Sequence, residues 1–217
     1  MKTESLPILI RGLISDEDVR NQFSAVQIGQ RVWKSGGWGR ITNDIPLIPK
    51  LVNQKIDSSF WSTIYDCAKE RFGEQAKPSY WKWARYSPRY GTPNVPPHVD
   101  LNACTFTIDL QLNGNTDWEI YVEGKPYQMK NGDALLYGGC DQFHWRPKYP
   151  NNDINSYLEM CFIHFVDPGH WYHEKSPQWI DSDEIGIPWR KRMQELLPLY
   201  KSDTYQPHEN PNEFPGY

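Results

Sequence analysis

From Tyr80 to Val166 the sequence is a run of short apolar-rich segments cut by turn signals, and this rhythm constrains the fold more than any other feature. Tyr80-Trp81-Lys82-Trp83-Ala84-Arg85-Tyr86 alternates with period two, the signature of a strand that sends successive side chains to opposite faces. Thr105 to Leu112 repeats the pattern and ends at Asn113-Gly114-Asn115. Trp118 to Val122 ends at Glu123-Gly124-Lys125-Pro126, Asn131-Gly132-Asp133 turns into Ala134 to Tyr137, and a long last strand is predicted from Tyr157 to Val166. Helical signals are confined to the flanks. Ser15 is followed three residues later by Asp18, a capping-box variant ahead of Val19, Phe23 and Val26. Ser59 to Phe72 puts Phe60, Ile64, Cys67 and Ala68 on one helical face, and Gly73 stops it. A last helix is predicted after Pro188, with Trp189, Met193, Leu196 and Leu197 as its stripe. Strands in the middle and helices at the ends predict a mainly β chain, a double-sheet jelly roll with flanking helices.

At 217 residues the chain suits a single domain with a sizeable core. The expected limits are 1–204, with N-terminal helices in 14–73, the strand core in about 80–167 and a helix in about 188–200; residues 205–217 form a Pro- and Asn-rich tail. The net charge of -4 gives no electrostatic reason to expect nucleic acid or a membrane surface as partner. No apolar run reaches bilayer length, and MKTESLPILIRG lacks a signal-peptide pattern. Cys67, Cys104, Cys140 and Cys161 form no CxxC, so free thiols in a reducing, cytoplasmic setting are expected.

The chemistry concentrates in His98-Val99-Asp100 and His144. In an extended segment residues i and i+2 share a face, so His98 and Asp100 can address one ion. Pro96-Pro97 before them favours that backbone. The third ligand must come from far along the chain. His144 is preferred over His164, which sits in the apolar run Met160 to Phe165 and suits a core position or a wall of the site. Two imidazoles and a carboxylate leave three faces of an octahedral Fe(II) open. His170 and His173 lack a carboxylate or thiolate partner at ligand spacing, and a rim role is expected for them.

These segments resemble the 2-oxoglutarate and Fe(II)-dependent oxygenases, close to the prolyl-4-hydroxylase-like group. The resemblance spans Arg85-Tyr86 through His98-Val99-Asp100, then Thr107 to Asn113, then Gly132-Asp133 through His144-Trp145-Arg146, and the strand ending Phe162-Ile163-His164-Phe165. It implies a double-stranded β-helix (cupin-like), with Fe(II) held by His98, Asp100 and His144. It further implies 2-oxoglutarate as cosubstrate and O2 as oxidant, with succinate and CO2 released as a C–H bond is hydroxylated or otherwise oxidised. Asp100 argues against halogenation, because related halogenases replace that carboxylate with a small residue. One departure stands out. Most members carry Arg or Lys about ten residues past the distal histidine to hold the far carboxylate of 2-oxoglutarate, and here Ile154 to Tyr157 holds no cation. Arg146, two residues past His144, would point the same way and is the expected substitute. Tyr86 matches a tyrosine that binds the same carboxylate; Gln111 and His164 are expected to line the pocket; Arg85 and Arg89 are reserves.

Two other readings remain open on the sequence: a different cupin-type metal enzyme, and a non-catalytic jelly-roll binding module. The substrate is small or peptidyl, and its identity is not legible. Trp118, Tyr90, Trp145 and Trp171 are candidates for its rim. Val32 to Arg40, rich in Gly and Trp, is read as a loop, either ordinary or a substrate lid.

Overall fold

Two antiparallel sheets face one another and share the chain's second apolar core between them. The computed structural model describes residues 6–20, 34–36, 40–45, 59–100 and 103–167. Its strands are β1 (Ile8–Ile10), β2 (Lys34–Gly36), β3 (Arg40–Ile45), β4 (Lys77–Tyr86), β5 (Val95–His98), β6 (Phe106–Gly114), β7 (Ile120–Val122), β8 (Lys125–Tyr127), β9 (Ala134–Tyr137), β10 (His144–Arg146) and β11 (Leu158–Val166); helix α1 is Ser59–Phe72. The larger sheet runs β1-β9-β6-β11-β4-β3-β2 and the smaller one β5-β10-β7-β8. This is the double-sheet jelly roll that the strand rhythm predicts, in the form of the double-stranded β-helix that the resemblance implies.

Period-two alternation divides the larger sheet into two faces. Trp81, Trp83, Phe106, Ile108, Leu110, Cys161, Ile163 and Phe165 pack outward with Phe60, Ile64 and Phe72 of α1 in one core. Ala84, Tyr86, Leu135, Tyr137, Leu158 and Met160 face the smaller sheet and meet Val95, Ile120 and Val122 in the other. α1 ends as expected, with Gly73 at φ 101° and its N–H on the Lys69 carbonyl at 2.9 Å, where glycine carries no Cβ penalty. Residues 16–20 are helical, and the Asp18 N–H donates to Ser15 Oγ at 3.1 Å, the predicted cap. β7 and β8 join through Glu123 and Gly124, both at positive φ (50° and 77°), the two-residue turn whose twist matches a hairpin.

The region before Ser59 is richer in strands than the sequence suggests. Ile8–Ile10 adds a strand beside β9, and Lys34–Gly36 pairs with Arg40–Ile45, which pairs in turn with β4 from Arg40↔Tyr86 to Ile45↔Trp81. The loop reading of Val32 to Arg40 is therefore corrected for residues 34–36 and Arg40. No alternation marks these strands; pairing with the edge of β4 imposes them. Trp33 and Gly37 to Gly39, His170, Trp171, His173, the helix predicted in 188–200 and the tail 205–217 lie outside the described residues. No helix among the described residues is long and apolar enough to cross a membrane. None of the four cysteines forms a disulfide.

Candidate metal centre and pocket

β5 is an edge strand, and that position tolerates its two prolines. It ends at His98, which lies directly across from His144, the first residue of β10. The two rings stand 4.3 Å apart, centroid to centroid. Asp100, two residues past β5, is tied back by its N–H to the Gly139 carbonyl at 2.8 Å. Its Oδ1 is 3.7 Å from His98 Nε2 and 3.7 Å from His144 Nε2. Both separations fall inside the roughly 4.2 Å that two bonds of about 2.1 Å can span, and one donor atom from each residue lies within 4.8 Å of the other two, a grouping that could hold one ion. His144 Nδ1 is bonded to the Gln142 carbonyl at 3.0 Å, which leaves Nε2 for the ion.

Charge and packing prepare this cluster for a cation. Burial would raise the Asp100 carboxyl, but His144, His164 and His98 outweigh it and hold it well below the usual carboxylate range. Burial would lower His144, and the Asp100 carboxylate raises it instead. A divalent ion would displace that proton and take its place beside the carboxylate. Thr107 Oγ1 donates to Asp100 Oδ2 at 3.3 Å. Gly139 leaves the room: a Cβ there would collide with the Cys104 carbonyl and stand 2.5 Å from Thr107 Oγ1 and 2.8 Å from Asp100 Oδ2.

A pocket of about 560 Å³, counting space open to solvent, runs from this cluster between the sheets. Arg146, Tyr86 and His164 line it, together with Lys82, Asp109, Tyr137, Trp145 and Phe162. Arg146 is only 3% exposed. Its guanidinium donates to the Trp118 carbonyl, approaches Met160 Sδ at 3.7 Å and lies over the Trp118 ring. It forms no ion pair with a carboxylate of the described residues. A buried cation paired only with a carbonyl and a thioether suits an incoming anion. β11, where a cation is usual in the family that the sequence resembles, has Leu158, Met160, Phe162 and His164 on its inner side and no Lys or Arg.

His164 stands apart from the His98–Asp100–His144 cluster, as a wall. Its Nδ1 meets Thr107 Oγ1 at 3.0 Å, and burial pushes its imidazole down to about 4. It also falls into a second possible grouping, with Asp100 and Cys104. Gln111 is a correction. It shares the inner face of β6 with Thr107 and Asp109 but does not line the pocket, and its Nε2 donates to Asn131 Oδ1 at 3.2 Å. Arg85 pairs with Glu159 at 3.4 Å over the Tyr157 ring, and Arg89 is exposed; neither lines the pocket. Trp118 and Trp145 are buried, which removes them from an exposed rim, although Trp145 touches the cavity. The sequence reading missed Asp109, Tyr137 and Lys82. The available signal was Thr107, Asp109 and Gln111 alternating with apolar residues, three polar groups on one face of a core strand.

Known structures match this architecture. The epimerase SnoN from nogalamycin biosynthesis, described as non-heme and alpha-ketoglutarate dependent, superposes with a TM-score of 0.54 at 10% identity, over 74% of this chain and 78% of its own. The viral collagen prolyl hydroxylase of Paramecium Bursaria Chlorella virus-1, solved with 2-oxoglutarate, gives 0.54 at 11% identity over 76% and 98%. The chain has the fold of the 2-oxoglutarate/Fe(II) oxygenases, prolyl hydroxylases among them. HygX from Streptomyces hygroscopicus, bound to nickel and 2-oxoglutarate, matches at 0.53 and 9% identity over 75% and 83%. At these identities the likeness is one of fold. No family model matches the chain, and no curated protein matches its sequence.

Proposed function

We propose that the chain is an Fe(II)- and 2-oxoglutarate-dependent dioxygenase that hydroxylates, or otherwise oxidises, an unactivated C–H bond of a small or peptidyl substrate. The observation that carries this reading is the meeting of His98, Asp100 and His144 at one end of a pocket whose wall holds the buried Arg146. The donor set fits iron: two imidazole nitrogens and one carboxylate, which would leave coordination positions free for other ligands. In a hydroxylation, bound iron and 2-oxoglutarate would supply the oxidation: one oxygen atom of O2 goes to the substrate and the other to succinate, with loss of CO2.

The residues of the chain have separable tasks. His98, Asp100 and His144 would hold the ion, with the Gln142 carbonyl and Thr107 fixing ligand orientation. Arg146 would anchor the far carboxylate of the cosubstrate, and Tyr86 would help to form that end of the pocket. Tyr137 and Trp145 would limit the access of water. The reading includes a cytoplasmic setting and neither nucleic acid nor a membrane as partner, on the net charge of -4 and the wide spacing of the four cysteines in the sequence.

Anaerobic protein given Fe(II) and 2-oxoglutarate should develop the weak visible charge-transfer band of a chelated oxo acid. On admission of O2 it should release succinate slowly even without substrate. Arg146→Ala should weaken 2-oxoglutarate binding by about 10- to 100-fold, the value of a charge-assisted pair, and spare iron binding. Folded, iron-loaded protein with no band and no succinate would overturn the proposal.

A further inference from the structure

Asp109 is a buried acid on the wall of the pocket with no role in holding the metal. It lies on the inner face of β6, one alternation past Thr107, and is 1% exposed. Its Oδ1 accepts a hydrogen bond from the Tyr137 hydroxyl at 3.1 Å. It makes no hydrogen bond to His98, Asp100 or His144. Arg146 lines the same cavity; its guanidinium donates to the Trp118 carbonyl and approaches Met160 Sδ, and it forms no ion pair with Asp109. A buried cation and a buried acid therefore share one cavity without a direct ion pair, close enough that each still favours the charged form of the other.

That arrangement has a consequence for any dicarboxylate that reaches Arg146. An ionised Asp109 would repel the incoming carboxylate in a poorly screened setting, whereas two carboxyl groups sharing one proton attract. We propose that Asp109 carries a proton in the filled pocket and donates it to the far carboxylate of the 2-oxo dicarboxylate, which is then held between the Arg146 guanidinium and the Asp109 O–H. This rests on the reading of the cavity as the seat of 2-oxoglutarate and adds a second anchoring group to it. The electrostatic setting agrees. Burial pushes Asp109 up to about 7, ahead of the lowering by His144 and Arg146. The groups around it are Tyr137 on β9, His144 and Arg146 on β10, Cys161 on β11, Lys82 on β4 and Asp100 past β5. Tyr137, itself pushed well above its ordinary range by burial and by Asp109, remains a donor to Oδ1. The other carboxyl oxygen is left for the ligand.

The test is calorimetric binding of 2-oxoglutarate to the full chain loaded with Mn(II), without O2, at pH 6.5 and 8.5. Wild type should lose about tenfold or more in affinity at the higher pH, since binding then has to protonate an ionised acid. Asp109→Asn keeps the shape and offers an N–H donor; it should bind within about threefold of wild type at pH 6.5 and show no such loss at pH 8.5. Asp109→Leu should bind about tenfold or more weakly at pH 6.5. A pH-independent wild type, an Asn variant with the same pH loss, or a Leu variant that binds as tightly as wild type would overturn the proposal. Should the Leu variant not fold, the Asn comparison decides alone. Wild type that takes up Mn(II) but binds no 2-oxoglutarate at either pH would instead sink the dioxygenase reading.

Discussion

His98 and His144 are Cα partners across β5 and β10, so each places one imidazole on the same side of the same sheet. The i, i+2 spacing of His98 and Asp100 made that pair legible, and the same spacing put Arg146 beside His144. Asp109 was not legible, because a strand can carry an acid on either face until its partners are known; here Leu135 and Phe162 flank it and fix the inward side. Gln111 shows the converse, a correct face that misses the cavity. His98→Ala and His144→Ala should each weaken Fe(II) binding by at least about 100-fold, read by equilibrium competition with a chelator, since losing one of three ligands exceeds the usual loss of a supporting contact. Gly139→Ala probes the same centre by crowding. Its methyl would press on Thr107 and Asp100, so metal affinity should fall by about tenfold or more while the circular dichroism of the sheets persists. Unchanged affinity would show that the loop moves aside freely.

Among the elements, those with clean alternation and strong turn chemistry were legible, and those created by pairing were not. β4, β6, β9 and β11 fall close to their predicted spans, and the Gly124 and Gly132 turns end where glycine frees the backbone. β2 and β3 are strands because the edge of β4 accepts them. β1 is fastened beside β9 by a feature that no pattern reveals. Asp133 accepts hydrogen bonds from Arg11 at 2.6 Å, the Gly12 N–H at 2.9 Å and the Lys130 N–H at 2.9 Å. Burial would raise its carboxyl, but the Gly12, Arg11 and Lys130 donors outweigh it and lower it below the ordinary value. A group with a depressed native value stabilises the fold above its unfolded value, near 3.8, and loses that contribution as pH falls through the native value. Asp133→Asn should therefore cost about 1–3 kcal/mol in chemical denaturation at pH 7, and the gap to wild type should close on acidification below the carboxylate range. A gap that stays constant with pH would assign the loss to packing.

For the molecule as a whole, the smaller sheet and the residues that extend it supply every proposed ligand of the ion: His98 ends β5, Asp100 follows it and His144 opens β10. An ion binding there joins two antiparallel strands of a short sheet and binds only the folded state. At a free concentration about 100 times its Kd, Mn(II) should add about 2.7 kcal/mol, or roughly 5–10 °C in melting temperature for a chain of this size. EDTA should remove the gain, and His144→Ala should melt at the same temperature with and without the ion. A metal-induced rise retained in that variant would place the ion elsewhere, with Asp100, Cys104 and His164 the alternative grouping.

The pocket itself draws on both sheets. The smaller one, with the residues that extend it, bears the proposed metal ligands and Arg146, and the larger one contributes Lys82, Tyr86, Asp109 and Phe162. The gap between the proposed ion site and the wall that faces it is thus set by side chains wedged at the seam, such as Leu135, Met160 and Val122. Trimming one of those wedges would let the two halves settle against each other like a vice with a lost shim. Under the proposed function, oxidation would then run to succinate with its target out of reach, although every group proposed to touch iron or oxo acid was left in place.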